Sequence, residues 1–486
     1  MRCVHHAGYL LGQHKCRVRH DRREGRRPDR RGVSVETPLT DALVEQLARY
    51  RPERLPAGAW DVARQCVLDW CAVTLRGAVE PAARLLREEC LPGRRNDGGP
   101  CCVAGTGART DAVTAALLNG TASHVLDYDD VSIRMLGHPT VVVWSAVFAQ
   151  AQALGCSGEQ ALAAFIAGYE AAAMIGVLLG PSHYEAGFHA TATIGALAAA
   201  AAGALLMDLP PERMRCALGL AGAQAAGLKS MFGTMAKPFQ VGRAAAAGVL
   251  AARLAQRGYS ADAAVFDDPQ GFVAVLGRSQ LPPSAWPWCP EPGAEIPRNL
   301  FKYHALCLLT HSTVEATRSA LAAHGVRAQD VAHVDVHVTP RHLGVCNIQD
   351  PHTGLESKFS LRHAVALALA GAPTGNPDFF TDGNALRPDL VALRAKVRVV
   401  GDIPGPETSV ELVTHAGGRF SAAHDAEAPA TDLAAQGRRI AEKFHAVVDP
   451  LLGQAAAHEL EGAVAALRSA PDLSALAGIL GKEKAA

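Results

Sequence analysis

The chain has 486 residues, of which 49% are hydrophobic, and a formal net charge of zero. Its length allows two or three domains around a large core, and its balanced charge gives no sign of a nucleic-acid or acidic partner. The charge is unevenly placed, because residues 1–31 carry ten Lys or Arg against three Asp or Glu and leave the remainder mildly acidic.

Residues 1–36 are predicted to be a basic, disordered extension. The segment lacks the continuous apolar core of a signal peptide, and its acidic residues are atypical of a transit peptide. A disordered tail, or an upstream start codon that over-extends the reading frame, is favoured over a nucleic-acid-binding arm. Twelve cysteines are scattered without a CxxC pair, which indicates reduced thiols in a cytoplasmic protein.

Residues 37–270 are predicted to form an all-helical domain. Apolar residues recur at helical spacing, and Gly or Pro residues mark the breaks. Many of these helices are rich in Ala and Gly, which allows close packing inside a multilayer bundle. The second helix is expected to carry Asp69 on a polar face. The predicted helices cover residues 38–50, 57–75, 108–119, 141–154, 158–179, 189–207 and 241–258.

Residues 271–430 are predicted to form a smaller α+β domain that follows a proline-rich crossing. Alternation of apolar and polar residues indicates strands, and the sequence HAGG is typical of a hairpin turn. Helices are expected between the strands, at residues 310–324 and 357–370. Residues 431–486 return to the helical pattern and are predicted to pack back on the first domain. The predicted strands cover residues 331–339, 394–400, 409–414 and 419–423.

An acidic junction between two predicted helices is the most polar feature of the helical part. The segment 119–138, NGTASHVLDYDDVSIRMLGH, contains Asp127, Asp129 and Asp130 together with two histidines, His124 and His138. Charged groups at such a junction are costly to bury unless they pair with one another, with a metal or with a ligand. The junction is therefore the best candidate for an active site.

Five further polar residues stand near the starts of apolar helices. Lys and Arg at a helix N-terminus oppose the helix dipole, so stability alone does not favour them there. An anionic ligand reverses that sign, because the free backbone amides and the cations then both attract its charge. These residues are His189, Lys237, Arg243, Lys302 and His304.

Other interpretations of these residues stay open at this level. Each histidine could be a hydrogen-bonded core residue, the aspartates could cap helices, and Lys237 could lie in a solvated turn. His124, His138 and the three aspartates of the junction could bind a divalent cation, as in a metal-dependent hydrolase. A third possibility is a non-catalytic dimer that binds small acids.

The order of several motifs resembles the MmgE/PrpD family. The resemblance extends from about residue 37 to the C-terminal helices and leaves the basic extension outside. That family includes 2-methylcitrate dehydratases, cis-aconitate decarboxylases and an iminodisuccinate epimerase, so the motifs indicate the family rather than one reaction. The motifs are NG-x3-H-x2-DYDD, HPT before a helix, FHATATIGALAAAAAG, AKPFQVGRAAAAG, K-x4-C-x3-H and KFSLRHAVALAL.

The resemblance implies a mainly α fold with a large all-helical domain and a smaller α+β lid domain. It also implies a homodimer that binds a small carboxylate substrate and uses no metal or organic cofactor. The family's site residues correspond to Asp127, His138, His189, Lys237 and Lys302 in this chain.

Three positions depart from patterns of that family. The decarboxylase branch has a histidine where this chain has Cys307, and a threonine where it has Val131. Both differences count against a decarboxylase of the cis-aconitate type. His304 stands where the family often has tyrosine, and it is predicted to be an additional substrate-binding residue.

The chemistry shared by these proteins moves a proton at a carbon next to a carboxylate. Such a proton is weakly acidic, so the enzyme has to neutralise the carboxylate and stabilise the developing carbanion. Lys237, Lys302 and Arg243 are predicted to perform this task.

His138 or His189 is predicted to transfer the proton, because histidine titrates near neutrality. Asp127 is predicted to orient a histidine or raise its basicity, and Asp130 to help hold the substrate-binding loop. The favoured reaction is dehydration of a hydroxytricarboxylate, as in 2-methylcitrate dehydratases. Isomerisation or epimerisation by proton transfer ranks second and decarboxylation third.

Overall fold

A computed structural model describes residues 37–93, 98–277 and 288–482. The basic extension predicted at residues 1–36 lies outside the described residues, as does part of the proline-rich crossing.

Helices dominate the chain from Leu39 to Gln256, as predicted. The helix predicted at residues 158–179 is reproduced at both ends, because Ser157 caps its first turn in a capping box and Gly180 ends it with φ 66°. Three helices escaped prediction because each begins at a proline, which was interpreted as a break although it suits a first helical turn. A two-residue hairpin also interrupts the helical run. The elements are α1 Leu39–Leu47, α2 Ala57–Gly77, α3 Pro81–Cys90, β1 Cys101–Cys102, β2 Arg109–Thr110, α4 Ala112–His124, α5 Pro139–Leu154, α6 Gly158–Leu179, α7 Pro181–Glu185, α8 Ala190–Leu206, α9 Pro211–Gly222 and α10 Ala236–Gln256.

The four strands predicted in the second half of the chain are all present. The helix predicted at residues 357–370 is divided in two, because Ser360 caps a new helical start by accepting a hydrogen bond from His363 N. The elements are α11 Leu308–His324, β3 Val331–Val338, α12 Pro340–Val345, α13 Gly354–Ser357, α14 Leu361–Leu369, α15 Asp382–Ala385, α16 Pro388–Arg394, β4 Val397–Gly401, β5 Thr408–Thr414 and β6 Arg419–His424.

These strands form one sheet with the order β4–β3–β5–β6. β3 pairs with β4 in parallel and with β5 in antiparallel register. The predicted turn between β5 and β6 is confirmed, and Gly417 takes φ 85° there. Val334 and Val336 of β3 pack with Val365 of α14 in a hydrophobic core of their own.

The chain ends in α17 Leu433–Leu452, α18 Gln454–Ala465 and α19 Ser474–Leu480. Ile440, Phe444 and Leu460 from these helices belong to the same hydrophobic core as Val62 and Phe148. The C-terminal helices therefore complete the core of the first helices rather than that of the sheet.

Among the described residues, Gly158–Leu179 is long and apolar enough to cross a membrane by length and composition. Its most apolar window has a mean hydropathy of 1.9, but 94% of that window is buried inside the protein. α6 is therefore accounted for as a core helix.

Two glycines allow α4 and α10 to cross at close range. A Cβ on Gly120 would lie 3.0 Å from Gly242 Cα, and a Cβ on Gly242 would lie 2.2 Å from Leu117 O. The crossing brings the end of α4, where the acidic junction starts, close to the helix that carries Lys237.

Gly242→Ala is expected to lower the free energy of unfolding by about 1–3 kcal/mol, because the added methyl group forces the two helices apart. Denaturant unfolding measures the change. Gly462→Ala in α18 is the matched control, since a Cβ there meets nothing within 4 Å, and it should be neutral or stabilising by up to about 1 kcal/mol. Equal losses in both variants would contradict the close approach.

Candidate active site

The acidic junction forms a loop, residues 125–138, between α4 and α5. Asp127 takes φ 51° in this loop, a conformation that costs a non-glycine residue about 1–3 kcal/mol. Val131 and Leu300 exchange backbone hydrogen bonds of 2.8 and 3.0 Å. This pairing brings the segment that contains Lys302 alongside the loop.

Asp127 lies between two lysines that come from distant parts of the chain. Lys237 Nζ, in the first turn of α10, is 2.8 Å from Asp127 Oδ1. Lys302 Nζ is 3.3 Å from the same oxygen and donates a hydrogen bond of 2.6 Å to Asp127 O. The structure thus assembles two cations around one carboxylate.

The charge balance of this cluster is set by the two lysines. Burial alone would raise the pKa of Asp127, but Lys237 and Lys302 hold it well below its usual range. Burial opposes the charge of Lys302, whose side chain is only 2% exposed, yet Asp127 raises its pKa. Asp127 and Lys302 are therefore both charged at neutral pH.

His138 lies between the two aspartates of the loop. Its Nδ1 is 3.0 Å from Asp129 Oδ2, and its Nε2 is 3.9 Å from Asp127 Oδ1. A carboxylate near Nδ1 favours the tautomer that leaves Nε2 free to exchange a proton. Asp129 therefore lies closer to the imidazole than Asp127, the residue predicted to orient a histidine.

His124 is the buried neighbour of this pair. Its Nδ1 is hydrogen-bonded to Asp129 Oδ2 at 2.8 Å, and its ring lies 4.9 Å from that of His138. Burial lowers the pKa of His124 to about 4 against the opposing effect of Asp129. Neither His124 nor Asp129 was assigned a catalytic role from the sequence.

His189 stacks on His124, with 5.8 Å between the ring centres. Its ring also meets the edge of Phe232 at 5.0 Å, and its Nδ1 is 3.3 Å from Gln240 Oε1. Burial lowers the pKa of His189 to about 2, and the neighbouring His124 and Lys237 add to the effect. His189 is therefore neutral at neutral pH.

Three helices begin at this cluster. His138 and His189 are the residues that precede the first turns of α5 and α8, and Lys237 lies in the first turn of α10. The helix was predicted to begin at residue 241, but Pro238 fits within a first helical turn and α10 begins at Ala236. Free backbone amides and lysines at one place favour an anionic ligand.

Three of the predicted site residues do not contact Asp127. His304 uses both ring nitrogens elsewhere, at 2.8 Å from Thr374 Oγ1 and 2.9 Å from Glu315 Oε1. Arg243 is exposed within α10, and its side chain forms no hydrogen bond or ion pair with other described residues. Asp130 is buried and accepts a hydrogen bond from Thr140 Oγ1.

Asp130 gives the protein a pH-dependent stability. Burial raises the pKa of its carboxyl to about 7, and Asp69 adds to the effect. A group whose pKa is higher in the folded than in the unfolded chain stabilises the fold at low pH, and this stabilisation is lost as the pH rises through about 7.

Asp130→Asn removes that titration. Between about pH 5 and pH 7, the free energy of unfolding of the variant relative to wild type should rise by up to about 1.4 kcal/mol per pH unit. Urea unfolding of both proteins across this range measures the difference. A difference that does not change with pH would contradict the raised pKa.

A second buried ion pair, between Asp69 and Lys443, stabilises the loop. Lys443 Nζ, in α17, is 2.5 Å from Asp69 Oδ1 and donates a hydrogen bond of 2.7 Å to Tyr128 O. Each of the two charged side chains is 2% exposed. The prediction that Asp69 lies on a polar face was wrong, because its partner is a lysine far along the chain. Sequence analysis did not single out Lys443.

Cys307 precedes the first turn of α11, five residues after Lys302. A hydrogen bond from Cys346 and the charge of Lys302 lower the pKa of its thiol to about 7, although burial opposes them. Cys307 is thus an acidic thiol near the cation that holds Asp127.

His124, Asp129 and His138 also form a group that could hold a metal ion, since one ligand atom from each lies within 4.8 Å of the others. However, Lys237 and Lys302 direct two positive charges at the adjacent Asp127, and these charges repel a divalent cation. The cluster is therefore better suited to an organic anion than to a metal.

Both halves of the chain match profiles of known protein domains. A profile of the MmgE/PrpD N-terminal domain matches residues 41–284, and one of the MmgE/PrpD C-terminal domain matches residues 304–469. A cis-aconitate decarboxylase of Aspergillus terreus is 26% identical over 393 residues, which are 75% of this chain and 78% of that protein. The human cis-aconitate decarboxylase is 32% identical over 169 residues, 34% of this chain and 35% of the human protein.

Proposed function

The chain belongs to the MmgE/PrpD family and is a lyase, and we propose that it acts on a small di- or tricarboxylate by metal-independent acid–base chemistry. The observation that carries this proposal is the cluster in which Lys237 and Lys302 hold Asp127 beside His138. It combines neutralisation of a carboxylate with a group that can transfer a proton.

The lysines bind the carboxylate next to the reacting carbon. Both ammonium groups already converge on one carboxylate oxygen, and the amides at the starts of α5 and α8 add further donors. Because Lys302 is buried, its charge is weakly screened and stabilises negative charge that develops on the substrate.

His138 transfers the proton. Its side chain is 15% exposed, so Nε2 can reach a bound substrate while Nδ1 faces Asp129. Asp129 keeps the imidazole in one orientation and stabilises the protonated ring after it accepts a proton. His189 remains neutral and shapes the wall of the site.

Among lyase reactions, we place decarboxylation of a tricarboxylate of the cis-aconitate type first. Similarity across three quarters of the chain to proteins named cis-aconitate decarboxylase supports this order, which differs from the order favoured by the sequence alone. Dehydration is the second candidate. It needs an acid for the departing hydroxyl group, and Cys307 offers a thiol with a pKa of about 7 where the decarboxylase branch has a histidine.

An NMR assay of the purified full chain in D₂O tests the proposal. The substrates are cis-aconitate, citrate, 2-methylcitrate and aspartate-derived imino acids, each with and without EDTA. His138→Gln is the active-site variant. His363→Gln is the matched control, since this buried histidine lies in α14 away from the loop elements.

Carbon dioxide and an unsaturated dicarboxylate formed from cis-aconitate would support the carboxy-lyase. An olefinic product from a hydroxy acid would support the hydro-lyase instead. Deuterium that enters an α-carbon without loss of any group would replace both with an isomerase or epimerase. Activity lost in EDTA and restored by a metal would contradict the metal-independent mechanism.

A further inference from the structure

A second group of metal-ligating side chains lies away from the acidic loop, where α17 turns into α18. Gly453 joins the two helices with φ 81°, and the turn sets the last part of α17 beside α18. His445 and Asp449 come from α17, whereas His458 and Glu461 come from α18. None of the four has a role in the proposed lyase reaction.

The imidazoles and the carboxylate meet across this turn. His445 Nε2 is 3.0 Å from Glu461 Oε2, and the two histidine rings are 4.5 Å apart between centres. One ligand atom from each of His445, His458 and Glu461 lies within 4.8 Å of the others. Zinc–nitrogen and zinc–oxygen bonds of about 2.0–2.2 Å require such atoms to be roughly 3.3 Å apart, so binding an ion draws these ligand atoms together.

Both histidines have the hydrogen bonds that prepare an imidazole for a metal. His445 Nδ1 is 2.8 Å from Asp449 Oδ1, and His458 Nδ1 is 2.8 Å from Gln454 O. A carboxylate or a backbone carbonyl at Nδ1 fixes a proton there and directs the metal to Nε2, which in His445 first has to give up the proton that it shares with Glu461. Metal-binding histidines almost always have such a partner on the second nitrogen.

We propose that His445, His458 and Glu461 form a binding site for a divalent transition-metal ion of the zinc type. Two imidazoles and one carboxylate are a ligand set that zinc accepts, with water completing the tetrahedron. The ion replaces the proton shared by His445 Nε2 and Glu461 Oε2, and Asp449 supports the ligated His445 from behind. Hard cations such as magnesium prefer oxygen ligands and are not expected to bind.

The charged groups around this site differ from those around the histidines of the acidic loop. There, two lysines neutralise Asp127 next to the histidines. At the α17–α18 turn, two carboxylates contact His445, and no lysine or arginine among the described residues forms an ion pair with either of them. His458 is exposed, so an ion can enter directly from the solvent. A bound ion would join the two C-terminal helices.

Calorimetric titration of the untagged, EDTA-treated full chain with zinc tests the proposal, and magnesium serves as the hard-cation comparison. His458→Ala should remove one zinc equivalent. Asp449→Asn should weaken that equivalent about 10–100-fold, since it removes only the supporting carboxylate. His415→Ala, at an exposed hairpin position, is the matched control and should leave zinc binding unchanged.

His138→Ala separates this site from the histidines of the acidic loop, and it should retain the zinc equivalent that His458→Ala loses. His458→Ala also leaves the histidines and cysteines of residues 1–36 in place, so the zinc equivalent that it loses is not bound by them. Absence of zinc binding at millimolar concentration, or equal binding by wild type and His458→Ala, would overturn the proposal. Because His458 is exposed, its variant should keep the wild-type melting temperature without metal.

Discussion

Replacement of His138 by glutamine is expected to lower kcat by about 10²–10⁴-fold. Glutamine keeps a polar side chain of similar reach between Asp127 and Asp129, but it cannot accept or release a proton near neutral pH. The substrate should still bind through the lysines, so KM should change much less than kcat. Steady-state kinetics on the substrate identified by the D₂O assay measure both constants.

His363→Gln tests whether replacing any buried histidine lowers kcat. His363 is also buried and lies in α14, and its replacement should leave kcat within a few-fold of wild type. Circular dichroism of both variants confirms that the helices remain. If His138→Gln keeps nearly full kcat, the proton is transferred by another group, and His189 and Cys307 become the candidates.

Loss of Lys443 is expected to have the largest effect on stability. Lys443→Met leaves the buried carboxylate of Asp69 without its cation and removes the donor to Tyr128 O. Removal of one partner of a buried ion pair costs about 3–5 kcal/mol, because the other charge stays desolvated. Urea unfolding monitored by circular dichroism should show this loss as a lower midpoint.

The double variant Asp69→Leu/Lys443→Met is the critical control. With both charges replaced by apolar groups, most of the lost stability should return. Lys482→Met serves as an exposed comparison, because Lys482 lies 3.1 Å from Glu459 at about half exposure on both sides, and it should cost no more than about 1 kcal/mol. A double variant as unstable as Lys443→Met alone would show that the pair is not the cause.

Much of the fold could be predicted because its signals are local. Capping at Ser157 and the left-handed glycine at Gly180 define α6 within its own sequence, and alternation along β3 identifies a strand with one buried face. Prolines at helix starts misled the prediction, since the same residue ends one helix and begins another. The homodimer and the cytoplasmic location stay predictions.

The active site could be predicted only in part. The family motifs indicated Asp127 and the two lysines, which the structure brings within 3.3 Å of one carboxylate oxygen. The different contacts of Asp127 and Asp129 depend on the left-handed conformation of Asp127 in the loop. Hydrophobic periodicity does not reveal such a conformation. Asp69 was wrongly predicted to lie on a polar face. Its burial depends on an ion pair with Lys443, which is distant in sequence.

The acidic loop is synthesised long before Lys443, the residue that stabilises it. Lys302 follows Asp127 by 175 residues, and Lys443 follows Tyr128 by 315 residues. At a synthesis rate of about 5–20 residues per second, the loop emerges from the ribosome roughly 15–60 s before the residue that holds it from behind. Incomplete chains therefore carry the whole acidic loop without the contact from Lys443, and we expect activity to begin only when the last helices have been translated.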